Sequence, residues 1–195
     1  FEEIMKNYFK KHCSVCPTEI HCCKFKDNKG FTFVSIKNAK EIKKHTKKDY
    51  SYFLDYSPLP KKTISFLKKG DPALEGFLRY NMLDSNYRLL RLKIKENGNC
   101  IFLNNDNKCE IYAFRPSVCK IYPFYGIRLL NNKVKIIPHD SDPKCSVITE
   151  LNSEDVEEIL LEKENKSIKN EFIKIEQESI EYKKNILKIQ KLFDK

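Results

Sequence analysis

Four of the eight cysteines fall within eleven residues, Cys13-Ser14-Val15-Cys16-Pro17-Thr18-Glu19-Ile20-His21-Cys22-Cys23, while Cys100, Cys109, Cys119 and Cys145 lie far along the chain. Disulfides, buried thiols and metal ligation are the alternatives. A disulfide framework suits a short secreted chain. Residues Phe1 to Lys11 are charged and lack the apolar stretch of a secretory signal, so the chain is expected in the cytoplasm. Buried thiols alone do not explain the crowding. A metal centre does. The two residues between Cys13 and Cys16 let the chain turn so that both sulfurs face one point, which suits zinc or an iron–sulfur cluster. Thioredoxin-like motifs share that spacing but open a helix after a strand, whereas Pro17 and further cysteines follow here.

The adjacent pair Cys22-Cys23 cannot easily serve one ion, because neighbouring side chains diverge on a strand or loop. One is expected at a first site and the other at a second site or in the core. Eight, nine and twenty-five residues separate the later cysteines in turn. None of these spacings is a zinc knuckle, so tertiary folding must gather them. Cys13, Cys16, Cys22, Cys23, Cys100, Cys109, Cys119 and Cys145 are all candidate ligands, and a site drawing on both blocks would tie the ends of the domain together. His12 and His21 read as neighbours of ligands, His139 as part of a solvated turn beside Asp140 and Asp142, and His45 as an exposed residue.

Short segments dominate the first 150 residues. Residues 3–11 are expected to form a helix, Phe31–Ile36 a strand, Asn38–Lys48 a very basic helix, and Thr63–Lys68 and Pro72–Met82 two more helices. Ser57-Pro58-Leu59-Pro60 reads as a break. Arg88–Lys95 and Cys100–Leu103 read as strands around the turn Glu96-Asn97-Gly98-Asn99, with a polar turn at Asn104–Lys108. Phe124–Leu130 and Lys133–Pro138 read as a hairpin. From Ser153 to Phe193 the chain has no Gly or Pro. Ser153 is a good N-cap, and Leu161, Ile168, Phe172, Ile175, Tyr182, Ile186, Ile189 and Phe193 form an apolar stripe with Ser179 in its gap, which Ile173, Ile180 and Leu187 would widen. A helix of ~60 Å exceeds what a compact domain of this size covers. A break near Glu164–Ser167 is therefore expected, or a protein partner that covers part of the segment.

Residues 1–100 hold 21 Lys/Arg against 11 Asp/Glu, and residues 101–195 hold 16 of each. The net charge of +10 thus sits in the first half, in patches at Lys37–Lys48 and Lys61–Lys69. A basic face can meet nucleic acid or an acidic partner. These patches lack interleaved aromatics and Arg, which argues against nucleic acid. An AT-rich coding sequence explains abundant Lys, Ile and Asn without a partner. The chain has no run of about 18 apolar residues, so no membrane span is expected.

Two blocks of the sequence resemble the family called the putative zinc- or iron-chelating domain, also known as the YkgJ-type family, whose relatives include flagellin lysine N-methylases. The first is Cys13 to Cys23. The second is CIFLNNDNKCEIYAFRPSVCKIYPF, residues 100–124, where three cysteines agree together with Tyr112, Arg115, Pro116, Tyr122 and Pro123. Cys145 fits the last family cysteine. Five residues separate Cys16 from Cys22, where the family usually has two. The resemblance implies metal chelation strongly and methyl transfer weakly, since no glycine-rich nucleotide loop is present. Pro116 would start a short helix carrying Cys119, and that helix N-terminus with Arg115 would set positive charge near thiolates. Equally, Arg115 could pair with Glu110.

The expectation is an α+β fold: a small metal-tied, cysteine-rich domain over residues 1–150, with short strands and helices, followed by a C-terminal amphipathic helical segment over residues 151–195. Its function would be to coordinate an iron–sulfur cluster, the favoured cofactor, or zinc, in redox or cluster handling. A zinc-stabilised binding module and a lysine N-methylase-like enzyme are the alternatives. The sequence does not decide whether it is an enzyme.

Overall fold

The computed structural model describes residues 22–25, 30–71, 74–129, 133–138 and 154–193. Their architecture is α+β, with helices, two two-stranded antiparallel sheets and a long C-terminal helix. The chain forms two compact units, Cys23–Lys120 with Lys174–Lys195, and Phe1–Cys22 with Ile121–Ile173. No helix among the described residues is long and apolar enough to cross a membrane. The helix expected over residues 3–11 and the cap expected at Ser153 lie outside the described residues.

In the larger unit, the first helix α1 spans Ile36–Thr46. Ser35 caps it, its hydroxyl accepting the Asn38 N–H at 3.1 Å. Lys43, Lys44 and His45 fill the last turn, where cations suit the helix dipole. The cap also shortens the strand expected over Phe31–Ile36. Thr32 and Val34 do pair with Leu92 and Leu90, but at Ser35 the chain turns into the helix.

Short α2 (Tyr50–Phe53) leads into β1 (Leu54–Pro58); α3 (Lys61–Lys68) and α4 (Glu75–Arg79) precede β2 (Arg88–Leu92). β1 and β2 are antiparallel, with Leu54 opposite Leu92 and Tyr56 opposite Leu90. Alternation decides which side chains go inward. Leu54 and Tyr56 are buried, while Asp55 accepts from Arg91 Nε at 3.0 Å on the outer face. The loop before β2 is organised by Asp84. Its Oδ1 accepts the N–H groups of Asn86 at 2.9 Å and Arg88 at 2.8 Å, and its Oδ2 accepts from Arg88 Nε at 2.7 Å and the Tyr56 hydroxyl at 3.2 Å. Burial works to raise the pKa of this carboxyl, but the hydrogen bonds from Arg88 and Asn86 outweigh it and hold Asp84 below the usual carboxylate range.

The core of this unit gathers Phe33, Ile42, Phe53, Met82, Leu89, Phe102, Tyr182, Ile186 and Ile189. Tyr182 is fully buried, its ring edge-on to Phe33 with centroids 5.3 Å apart. Beyond Val34 the chain leaves β2 for α1, and the Leu90 N–H goes instead to the Tyr182 hydroxyl at 3.0 Å. The phenol thereby completes the hydrogen bonding of a buried strand. Burial holds its pKa far above the ordinary tyrosine value.

The smaller unit contains the expected hairpin, β3 (Phe124–Arg128) paired with β4 (Val134–Pro138), with Leu129 N–H bonded to the Lys133 carbonyl at 2.8 Å. The Phe172 ring lies over Gly126 so closely that a Cβ there would meet ring carbons at 2.5 Å.

The last helix, α6, runs unbroken over Glu154–Phe193. The expected break near Glu164–Ser167 does not occur, because Asn165 and Ser167 each disfavour a helix by only a few tenths of a kcal/mol relative to better formers. The apolar stripe is corrected as well. Ile168, Tyr182, Ile186 and Ile189 are buried, but Ile173, Ile180 and Leu187 are exposed, Leu187 at 69%. Ser179 is buried in the gap of the stripe, as expected, and Glu176 and Glu178 are buried beside it.

Candidate metal centre

Cys22 and Cys23 lie in a turn, followed by two residues that pair with the far cysteine block. Lys24 bridges Asn99 in antiparallel sense. On either side of that bridge the Cys100 N–H bonds to the Cys23 carbonyl at 2.7 Å and the Phe25 N–H to the Gly98 carbonyl at 2.8 Å. In this register Cys23 stands opposite Cys100. Opposite residues in an antiparallel ladder share a face, with Cβ atoms about 4.5–5.5 Å apart. The 76 residues between these two cysteines are thus closed into a loop by backbone hydrogen bonds.

Cys100 has a second neighbour. The turn at Glu96–Asn99, with Gly98 at φ 81°, returns the chain so that Cys100 also bridges Ile94, and Ile101 N–H bonds to the Lys93 carbonyl at 3.0 Å. Only a positive-φ residue fits that turn, and glycine is the one that adopts it freely. The strand expected over Cys100–Leu103 reduces to isolated bridges at its two ends, because the chain bends again at once. Leu103 N–H bonds to the Cys100 carbonyl at 2.9 Å, and Leu103 then bridges Cys109. The polar turn between them closes as expected, with Asn104 Oδ1 accepting the Lys108 N–H at 2.8 Å.

Cys119 follows a 3₁₀ turn, Tyr112–Phe114, on the short helix α5, Ser117–Ile121. Arg115 is extended at φ −60° and ψ 154°, as a residue before proline should be, and Pro116 is fully buried. The Cys119 N–H bonds to the Pro116 carbonyl at 2.9 Å. The Arg115 guanidinium lies 4.1 Å from the Tyr112 ring centroid, whereas Glu110 faces Lys48 Nζ at 3.8 Å. The pairing of Arg115 with Glu110 is not the arrangement found; a cation–π contact holds Arg115 against the turn preceding the cysteine helix. His45 is exposed, as expected, and stacks on Phe114 at 4.6 Å.

Cys100 is buried, Cys23, Cys109 and Cys119 are half-buried, and Cys22 is exposed. Cys13, Cys16 and Cys145 lie outside the described residues, as do His12, His21 and His139. Among the described residues no three His, Cys, Asp or Glu side chains are grouped closely enough to hold a metal ion. Among the described residues, backbone pairing sets Cys23 of the first block opposite Cys100 of the second.

The family model for the putative zinc- or iron-chelating domain, named for its Cys-x-x-Cys-x-x-Cys-Cys pattern, matches residues 12–146. The chain belongs to this family. Comparison with curated proteins and with solved structures gave no significant match. The match to the zinc- or iron-chelating family takes in all eight cysteines and supports metal binding as the general function. The donor chemistry agrees with it. Cysteine thiolates are soft ligands that suit zinc and iron–sulfur clusters alike, and opposed positions such as Cys23 and Cys100 allow two sulfurs to approach one centre.

Residues that the sequence marked for other reasons also shape the site. Asn99 and Gly98, read as part of a turn, supply the backbone to which the first block attaches, and Tyr112, read as a position of the family pattern, supplies the platform for Arg115.

Proposed function

We propose that this protein binds an iron–sulfur cluster through thiolates drawn from both cysteine blocks, in redox or cluster handling. The observation that carries the reading is the antiparallel pairing of residues 23–25 with residues 98–100, which sets Cys23 opposite Cys100. Cys13, Cys16, Cys22, Cys109, Cys119 and Cys145 are the further candidate ligands. Eight thiolates without two recognisable four-ligand knuckles favour a cluster over a pair of zinc sites. When bound, the group would supply one-electron chemistry, and the chain's part would be to hold the sulfurs and shield them behind a core in which Cys100 is buried.

A zinc-stabilised binding module is the second reading. Support for it comes from α1, which with its C-cap Lys47 presents Lys37, Lys40, Lys44 and Lys47 as exposed residues beside the core-forming Ala39 and Ile42. Purification without oxygen separates the two. A brown protein with a broad visible absorption band, containing iron and acid-labile sulfide, is expected. A colourless protein carrying stoichiometric zinc would overturn the cluster reading and raise the module.

A further inference from the structure

We infer that Glu178 is a positioning residue for the metal centre, fixing through Ser117 the helix that carries Cys119. The inference rests on the reading above, in which Cys119 is a ligand. Glu178 lies on α6, remote in sequence from every cysteine, and is 4% exposed. Its Oε1 accepts hydrogen bonds from Ser117 Oγ at 3.2 Å and from Asn38 Nδ2 at 3.3 Å. Ser117 is completely buried, opens α5 and stands two residues before Cys119.

A helix as short as α5, five residues, cannot hold itself in place. Its position is set by what grips it. Pro116, buried, accepts the Cys119 N–H, so the cysteine backbone is tied to the turn in which Ser117 sits. Glu178 then ties Ser117 to two rigid elements. Through Asn38 it reaches the first turn of α1, where Ser35 caps the Asn38 N–H. One helical turn further along α6, Tyr182 bonds the Leu90 N–H of β2, so Glu178 and Tyr182 fasten one face of α6 to the frame of the larger unit.

A carboxylate is a poor way to fill a core. Taking its charge out of water is costly, and an apolar side chain of similar volume often serves stability equally well. What a carboxylate adds is direction, because its oxygen accepts from two donors at defined angles. Here those donors are the start of the cysteine helix and the start of α1. Hydrogen bonds made directly to metal ligands are worth about 10–100-fold in affinity, and a tie acting through the backbone two residues from the ligand is expected near the low end of that range.

The test uses the full chain under anaerobic conditions, as wild type, Glu178→Gln, Glu178→Ala and Ser117→Ala. Two probes are loaded separately: cobalt(II), and iron with sulfide. Affinity is read by competition with a chelator, cobalt ligation by its ligand-field spectrum, and stability of the metal-free chain by urea. Glu178→Ala is expected to lose about tenfold or more in affinity and to shift the cobalt spectrum. Glu178→Gln, which keeps an acceptor oxygen, should restore both. Ser117→Ala should move affinity in the same direction as Glu178→Ala, and it keeps the inference testable if Glu178→Ala does not fold. Wild-type affinity and spectrum in folded Glu178→Ala would overturn the inference and leave metal binding intact. So would a Gln variant as impaired as Ala. A wild-type chain that takes up neither probe would overturn the metal reading and this inference with it.

Discussion

Replacing Tyr182 by Phe deletes one oxygen and leaves the ring in place. That oxygen is the acceptor for the Leu90 N–H at 3.0 Å, and Leu90 and Tyr182 are both buried. Without it, a backbone donor is stranded in an apolar core, where an unmet hydrogen bond costs about 1–3 kcal/mol. The edge-on packing of the ring against Phe33 is unaffected, so the transfer and cavity contributions cancel between the two proteins. Tyr182→Ala, which also empties the core position, should lose about 3–5 kcal/mol. Urea denaturation followed by far-UV circular dichroism gives both numbers, with unchanged m-values as the sign that only stability has moved. Amide exchange adds a local readout: Leu90 should lose protection in Tyr182→Phe before its neighbours do. A Phe variant within about 0.5 kcal/mol of wild type, with Leu90 protection unchanged, would refute the idea that the phenol completes the strand.

Gly126→Ala should destabilise the chain by about 1–3 kcal/mol through overpacking, because the new Cβ meets the Phe172 ring at 2.5 Å; a neutral urea midpoint would show that the ring moves aside freely. Asp84, whose folded-state pKa is lowered from 3.8, contributes stability that is present above that value and lost as pH falls through the lowered folded value. Stability curves of wild type and Asp84→Asn should therefore stand apart at neutral pH and converge in acid, and parallel curves down to pH about 2 would contradict this linkage. Anaerobic chelation should lower the urea midpoint by removing a ligand of the folded state but leave a cooperative transition, since Phe33, Phe53, Leu89, Phe102 and Tyr182 form a core of their own. Loss of that transition on chelation would mean that the metal, not the core, holds the unit.

The helix expected over residues 38–48 and found over 36–46, the hairpin of residues 124–138 and the turns at Gly98 and Asn104–Lys108 were legible because each has a local cause: a run of good helix formers, a polar linker, a left-handed glycine, an Asn side chain closing its own loop. The cap at Ser35 was hidden inside an apparent strand. β1 was not. Its Ser57 and Pro58 look like a breaker, yet Pro58 pairs with Arg88 at the strand's end, a position where a proline is tolerated. The C-terminal stripe misled for a different reason. Ile173, Ile180 and Leu187 repeat at the interval of a buried row, but which row faces inward depends on partners elsewhere in the chain. Glu176 and Glu178 go inside because Tyr80, Asn38 and Ser117 meet them there. Lone carboxylates carry no pattern that would announce this. The cysteines were legible as a set, since composition and spacing suffice to mark them; the pairing of Cys23 with Cys100 required the register of two distant segments.

That register has a consequence for how an ion would be captured. Closing a loop of 76 residues carries an entropic cost of about 4 kcal/mol from its length alone. In this chain the cost is met by the ladder between residues 23–25 and 98–100 and by the core behind it. Each of the two thiols therefore sees the other at a high effective concentration, and an ion held by the first finds the second without a search. Uptake would then be governed by delivery of the ion and departure of the thiol protons, with little rearrangement of the backbone left to wait for.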